Sequence, residues 1–166
     1  ANVFGSVTIF ADQPFQVDDV ITIKGHTGTV VDLGLRTCRL RTFEGTMVTI
    51  PNSLMVGDCI ENLSARPARK FNGTIGLVYS TTSDQLTAAM QALRDILAAH
   101  PKVREDYAVR FANFGDSALQ LTVLYWVVPP GEYFDVVSEI NVTIKQRFDA
   151  EGWEMAFPSM TLYKGD

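Results

Sequence analysis

The sequence VITIKGHTGTVVDLGL, residues 20–35, decides the fold of the first part of the chain. Two short runs rich in Val, Ile and Thr flank Gly25-His26-Thr27-Gly28, which we interpret as the turn of a β-hairpin. Two further runs of the same kind, Arg36–Thr42 and Met47–Ile50, follow at short spacing with Glu44-Gly45 between them. Closely spaced short strands with glycine turns predict a small β-barrel, because closing the sheet removes its exposed strand edges.

The residues before this barrel have a different character. The run VFGSVTIFA, residues 3–11, is strongly apolar and begins without a capping residue or turn, as a helix does when the chain is cut in its middle. Pro14 ends the helical pattern, because proline lacks a backbone N–H and disfavours the helical conformation of its predecessor. We therefore expect residues 1–15 to be the end of a helix and the chain to be a fragment. No apolar run reaches the ~20 residues that a membrane-spanning helix needs.

Residues 71–166 predict a second domain that contains both strands and helices. Apolar residues alternate over residues 71–79, and Thr82 and Gln85 have the spacing of a helix capping box. The helix that follows should end at His100-Pro101. A second helix should begin at Pro129 and end at Gly152, which suits a left-handed stop. The remaining predicted strands are residues 107–114 and 117–128, which form a hairpin, and the strand-like segment 153–164. The order β-α-β-β-α-β is that of a ferredoxin-like sandwich.

The boundary between the two domains falls in the connector of residues 62–70, which contains Arg66-Pro67. We therefore predict an α+β protein with a small Sm-like β-barrel at residues 16–66. A ferredoxin-like α/β domain then occupies residues 67–166. Pro158 interrupts the last segment, because it cannot donate a ladder hydrogen bond. Two short strands, 153–157 in the sheet and 159–164 outside it, are therefore expected there.

Composition and charge narrow the functional classes. The chain is 46% hydrophobic and 20% charged, which is typical of a globular protein, and its formal net charge is −5. Residues 1–70 are neutral in sum, so that residues 71–166 carry the whole acidic excess. Because affinity for nucleic acid comes mainly from clustered Lys and Arg, this balance argues against a nucleic-acid partner.

The sequence contains no recognisable catalytic or metal-binding constellation. His26 and His100 each lie in a predicted turn, without a carboxylate or nucleophile at a spacing typical of a catalytic site. Cys38 and Cys59 have no Cys/His neighbours at zinc-site spacing, and we expect two free buried thiols. We therefore predict a protein that is not an enzyme and that needs no cofactor or metal.

A nucleic-acid or small-ligand binding module on the small β-barrel is the alternative function. The motif Gly25-His26-Thr27-Gly28 has the form of a nucleic-acid clamp loop, but such a loop belongs between two helices and this one lies between strands. Small barrels also bind single strands by stacking bases on aromatics beside basic residues. The basic candidates here are Arg39, Arg41, Arg66, Arg69 and Lys70, with Phe43 as the aromatic on the strand face of the first two.

Several segments together resemble the mechanosensitive channel of small conductance (MscS) family. The resemblance is carried by DQPFQVDDVI (residues 12–21), GTV (28–30), RT (41–42), VTIPNS (48–53), NLSARP (62–67), RFDAEG (147–152) and AFPS (156–159). The residues that match the β-domain signature of the family are Pro14, Phe15, Asp19, Gly28, Pro51 and Asn52. One departure is Asp18-Asp19, where the family often has Gly-Asp. This departure concerns the turn type, because glycine accepts positive φ more readily than aspartate.

The resemblance implies the soluble C-terminal region of such a channel, with a β-domain and an α/β domain. The parent protein would be a homoheptamer in the cell inner membrane that opens under tension and releases small solutes on osmotic downshock. This fragment would be its vestibule on the cytoplasmic side. The expected partners are other copies of the chain, membrane lipid around the parent protein, permeating ions and small solutes. The resemblance places the end of the pore-lining helix at Asn2, Val3, Gly5, Ser6 and Ile9, and an assembly strand at Met160, Leu162 and Tyr163.

Overall fold

A computed structural model describes residues 12, 14–160 and 162 of the chain. The chain forms two compact units, Ala1–Arg66 and Pro67–Asp166. Each unit has its own antiparallel sheet and its own buried core. Among the described residues, the helices are too short or too polar to cross a bilayer.

The first unit is a five-stranded sheet with a short helix. Its strands are β1 (Val20–Ile23), β2 (His26–Leu33), β3 (Thr37–Arg41), β4 (Met47–Pro51) and β5 (Glu61–Asn62), and α1 (Asn52–Val56) follows β4. The strand order is β4-β3-β2-β1-β5, with antiparallel neighbours throughout. Alternate residues of β1, β2 and β3 point into the core, which consists of Phe15, Ile21, Ile23, Val30, Cys38, Leu40, Ile50 and Met55.

The first hairpin turn is shorter than the sequence analysis predicted. Ile23 pairs with His26, so that only Lys24 and Gly25 form the turn and His26 belongs to β2. Both turn residues have positive φ, 47° and 77°. A two-residue turn of this kind matches the twist of the strands that it joins, which explains why the register closes before His26.

Gly28 lies where β2 and β3 approach each other closely. A Cβ atom at this position would stand 2.6 Å from the carbonyl oxygen of Arg41, closer than real Cβ atoms come to backbone. The residue is therefore required by the packing of the two strands, and not by a turn.

The second unit is a three-stranded sheet covered by two long helices. Its elements are β6 (Arg69–Leu77), α2 (Ser83–Ala99), β7 (Ala108–Phe114), β8 (Leu119–Val127) and α3 (Tyr133–Glu151). The strand order is β6-β8-β7, and Met155 forms an antiparallel bridge with Leu77 beside β6. This arrangement is that of the predicted ferredoxin-like sandwich, and the predicted α+β class is confirmed.

The last strand of the sandwich is reduced to a few residues. Besides the bridge at Met155, the backbone N–H of Val78 donates to Glu154 at 3.1 Å, and that of Ala156 donates to Gly76 at 2.9 Å. The predicted strand at residues 153–157 is thus only a short contact. Pro158 follows at once, and a residue without a backbone N–H cannot extend the ladder.

Three of the four helix ends follow the predicted signals, whereas the predicted helix start at Pro129 is wrong: Pro130–Glu132 form a 3₁₀ turn and α3 begins at Tyr133. The Thr82 hydroxyl accepts from the N–H of Gln85 and the Gln85 side chain accepts from the N–H of Thr82, so that α2 begins with a capping box. Gly152 ends α3 with φ of 74°. In the core between sheet and helices, the rings of Phe71 and Tyr125 stack at 4.7 Å between centroids. The buried hydroxyl of Tyr125 has no hydrogen-bond partner among the described residues.

Candidate functional site

Three of the predicted signature residues lie where the chain runs into the first sheet. Phe15 is buried in the core and anchors this segment, whereas the ring of Pro14 is exposed. Asp19 directly precedes β1. We call residues 14–19 the leading segment.

The leading segment is tied by hydrogen bonds to the part of the chain that leaves the sheet. The amide of Asn62, in β5, donates to the Asp19 carboxylate and to the Pro14 carbonyl oxygen, each at 3.1 Å. The same carboxylate oxygen accepts from the backbone N–H of Gln16 at 2.9 Å. One residue later, the N–H of Val20 donates to the Ser64 hydroxyl at 2.9 Å. We call this set of contacts the junction.

Asn62 is the central residue of the junction. Its Nδ2 serves two acceptors of the leading segment, while its Oδ1 accepts from the N–H of Ala65 at 3.2 Å and caps the 3₁₀ turn Leu63–Ala65. A carboxylate at position 62 could not donate, and a carboxylate 3.1 Å from Asp19 would meet a like charge. The geometry therefore specifies an amide at this place.

The leading segment also contains a strained residue. Asp18 has φ of 78°, in the left-handed region that residues other than glycine rarely adopt. Its backbone N–H donates to the carbonyl oxygen of Val30 at 2.8 Å, and Val30 returns a bond of the same length to Asp19. The pairing with β2 thus fixes the conformation of Asp18. As the sequence analysis expected, an aspartate stands in a conformation that glycine adopts more readily.

The remaining signature residues are structural. Asn52 is buried at the start of α1, where its backbone N–H donates to the Arg36 carbonyl oxygen and its Nδ2 donates to that of Gly34, each at 2.9 Å. These two bonds hold the loop between β2 and β3 against the end of β4. Pro51 precedes the helix in an extended conformation and pairs with Thr37.

The structure gives no strand to the predicted assembly residues that it describes. Met160 and Leu162 are 80% and 81% exposed and lie outside the strands of the single chain. Tyr163 and the predicted pore-helix residues, Asn2, Val3, Gly5, Ser6 and Ile9, lie outside the described residues.

The histidines and cysteines occupy ordinary structural places. His100 has a carboxylate partner that its spacing did not reveal: its Nε2 lies 3.0 Å from Glu139 of α3, and its Nδ1 accepts from the N–H of Lys102. Burial raises the pKa of the Cys38 thiol to about 11. Cys59, predicted to be buried, is exposed. Within the described ranges, the acidic, histidine and cysteine side chains form no cluster that could hold a metal ion.

The basic residues named for the alternative function make contacts within the chain, whereas Phe43 is 79% exposed. Arg39 lies 3.1 Å from Asp32, and Arg41 donates to the carbonyl oxygen of Gly45. Arg66 donates to its neighbour Leu63, whereas Arg69 stacks on the ring of Tyr133 at 4.0 Å.

Sequence reasoning recognised Asn62 as part of a connector and missed its position at the centre of the junction. The local part of its role, an asparagine that caps the turn after a strand, has a sequence signal. Its partners Asp19 and Pro14 are 43 and 48 residues away. Only the fold brings them together.

The sequence matches two family profiles in order. Residues 1–65 match the profile described as "Mechanosensitive ion channel, beta-domain", and residues 71–155 match "Mechanosensitive ion channel MscS, C-terminal". Together the two matches span most of the chain.

Curated relatives and solved structures agree with these matches. The chain is 40% identical over 164 residues to the small-conductance mechanosensitive channel MscMJ of Methanocaldococcus jannaschii, and 32% identical over 169 residues to the large-conductance channel MscMJLR of the same organism. Each match covers 98% of this chain and 47% of the relative, so the chain spans about half the length of these relatives.

Two solved structures share the fold. The crystal structure of Helicobacter pylori MscS in the closed state aligns with 99% of this chain and 65% of its own, with a TM-score of 0.84 and 23% identity. The cryo-EM structure of Arabidopsis thaliana MSL1 aligns with 95% of this chain and 58% of its own, with a TM-score of 0.84 and 21% identity.

Proposed function

Because the chain belongs to the MscS family of mechanosensitive ion channels, we propose that it forms the vestibule of a tension-gated channel. In this proposal residues 1–15 are the end of a pore-lining helix, residues 16–66 are the β-domain and residues 67–166 are the α/β domain. The observation that carries the proposal is the 40% identity to a named small-conductance mechanosensitive channel across 98% of the chain. The vestibule has no catalytic role, and solutes pass through it to the pore.

Patch-clamp recording of the full-length protein tests this function. The gene is expressed in bacteria that lack their own mechanosensitive channels, and suction is applied to excised membrane patches. We expect stepwise currents that appear only under tension, and survival of the cells after osmotic downshock. Patches that contain the protein in the membrane and show no tension-dependent current would refute the proposal.

Assembly is the second part of the proposal. The parent protein is a homo-oligomer, a heptamer by family resemblance, that lies in the inner membrane with this part on the cytoplasmic side. Residues 159–164 supply one strand from each subunit to a shared barrel, which accounts for Met160 and Leu162 being exposed in the single chain. Pairing these strands between subunits would satisfy backbone groups that otherwise face water.

Deletion of residues 159–166 tests the assembly strand. We expect a smaller oligomer in analytical ultracentrifugation with an unchanged circular dichroism spectrum, because none of the described residues among them belongs to the core of the second unit. An unchanged oligomer, or a subunit that unfolds, would contradict this role.

Ion preference is the third part of the proposal. The whole net charge of −5 lies in residues 71–166. Carboxylates that face the vestibule would raise the local cation concentration, within a Debye length of ~8 Å at physiological salt. Reversal potentials in asymmetric salt should therefore shift when several Asp and Glu of this half are changed to Lys. Equal reversal potentials in the wild-type protein and the variant would contradict the proposed cation preference.

A further inference from the structure

The junction ties together two parts of the chain that are far apart in sequence. The leading segment begins within residues 1–15, which we propose to be the end of the pore-lining helix. The 3₁₀ turn at Leu63–Ala65 comes directly before the division between the two units at Arg66 and Pro67. The side chain of Asn62 bridges them, because Nδ2 bonds to the leading segment and Oδ1 to Ala65.

We propose that Asn62 is a positioning residue for gating, which couples the leading segment to the connector through Asp19 and Pro14. This inference rests on the proposed channel function. A displacement of the chain before Pro14 is passed through the Asn62 amide to the turn that leads to the second unit. The bond to Asp19 is the strong member of the set, since hydrogen bonds to a carboxylate are shorter and stronger than those between neutral groups.

The direction of the effect follows from the state in which the bonds are made. In this proposal the junction bonds are made when the channel is closed and are lost when it opens, so they stabilise the closed arrangement. A variant that loses the bond between Asn62 and Asp19 therefore favours opening. Loss of one hydrogen bond to a charged group changes an equilibrium by about tenfold or more in each subunit. At a fixed tension below the wild-type threshold, we expect at least about tenfold higher open probability in N62D.

A donor–acceptor exchange distinguishes coupling from mere loss of stability. In N62D two carboxylates face each other and the amide donor is gone. In the double variant D19N/N62D the amide stands at position 19 and the carboxylate at 62, so that one hydrogen bond between the two side chains is restored. An acceptor also remains for the N–H of Ala65. The Gln16 N–H and the Asn62 amide share one oxygen of Asp19, and the Pro14 carbonyl oxygen depends on the Asn62 amide, so the exchange does not restore every bond of the junction. The double variant should therefore return part of the way to the wild-type threshold although it contains the N62D change.

Two matched controls accompany the test. D18N makes the same Asp-to-Asn change one residue away, on an exposed side chain outside the junction. I50V removes one buried methylene from the core of the first unit and lowers its stability without touching the junction. Both should keep the wild-type threshold.

The measurement is the tension at half-maximal opening of the full-length protein in patches. A lowered threshold in N62D, partly restored in D19N/N62D and unchanged in I50V, supports the inference. A wild-type threshold in N62D, or an equal shift in I50V, overturns it, and so does a double variant that behaves as N62D does. Failure of the proposed function is distinguishable, because the wild-type protein itself would then carry no tension-dependent current.

Discussion

Replacement of Asp18 by glycine should stabilise the first unit. Asp18 is held at φ of 78° by its pairing with Val30. The left-handed conformation costs an L-residue about 1–2 kcal/mol, with aspartate at the low end because its short side chain can bond locally. Glycine loses about 0.5–1 kcal/mol more conformational entropy on folding in regular structure, which offsets part of the gain. The expected net gain is about 0.5 kcal/mol.

The assay must report on the first unit alone. All tryptophans and tyrosines lie beyond residue 70, so their fluorescence follows the second unit. Amide hydrogen exchange in urea, read by mass spectrometry on peptides from β1 and β2, follows the first. With a slope of about 1–3 kcal/mol per molar urea, D18G should raise the midpoint by about 0.2–0.5 M at an unchanged slope.

Two further variants separate backbone strain from charge. D18N removes the carboxylate next to Asp19 but keeps a side chain that tolerates the left-handed region, and its midpoint should stay near that of the wild-type protein. D18A keeps the strain without the local polar group, and its midpoint should fall. If D18G is no more stable than D18A, the conformation of Asp18 is not strained and the reasoning is wrong.

Three other predictions follow from single positions. G28A should unfold the first unit, because its Cβ would stand 2.6 Å from the Arg41 carbonyl oxygen. The amides of β2 should lose protection from hydrogen exchange while tryptophan fluorescence stays unchanged, and retained protection would contradict this. Y125F should be as stable as the wild-type protein or more stable by up to about 1 kcal/mol in urea titration, since it removes a buried hydroxyl that has no hydrogen-bond partner among the described residues. Burial raises the pKa of Tyr125 above 10, so the folded state keeps a proton that the unfolded state loses. The free energy of unfolding should therefore fall as pH rises above 10, and it should fall less steeply in Y125F. At pH 8 a maleimide should label exposed Cys59 and spare buried Cys38, which mass spectrometry of the digested protein checks.

Much of the fold could be predicted because its signals are local. The alternation in β8, the capping box of Thr82 and Gln85 and the stop at Gly152 each depend on residues within a few positions of one another. The first hairpin shows where local signals end. The same sequence is compatible with a turn at Gly25-His26-Thr27-Gly28 and with a turn at Lys24-Gly25. The pairing of Ile23 with His26 decides between them.

The candidate site could be predicted only in part. The sequence placed Phe15 and Asp19 at the start of the first sheet, but the bonds of Asn62 to Asp19 and Pro14 depend on β5 lying beside β1. The partner of His100 likewise comes from another helix, 39 residues further along the chain. Contacts of this kind have no periodicity in the sequence and arise from the tertiary arrangement.

The shortness of the contact at Met155 leaves β6 as a largely open sheet edge. Within the described part of the second unit, the residues at 154–156 pair only with the last residues of β6, and the backbone of residues 69–75 has no strand on that side. Such an edge can recruit a strand from another molecule. Four residues of β6 oppose pairing with a strand of another molecule. Arg69 and Lys70 place charges at its start, and Gly73 and Gly76 weaken its tendency to pair. Replacing Arg69 and Lys70 with β-branched residues should promote aggregation through this strand, whereas Gly73 is also required by packing, because a Cβ there would stand 2.6 Å from the Phe71 ring.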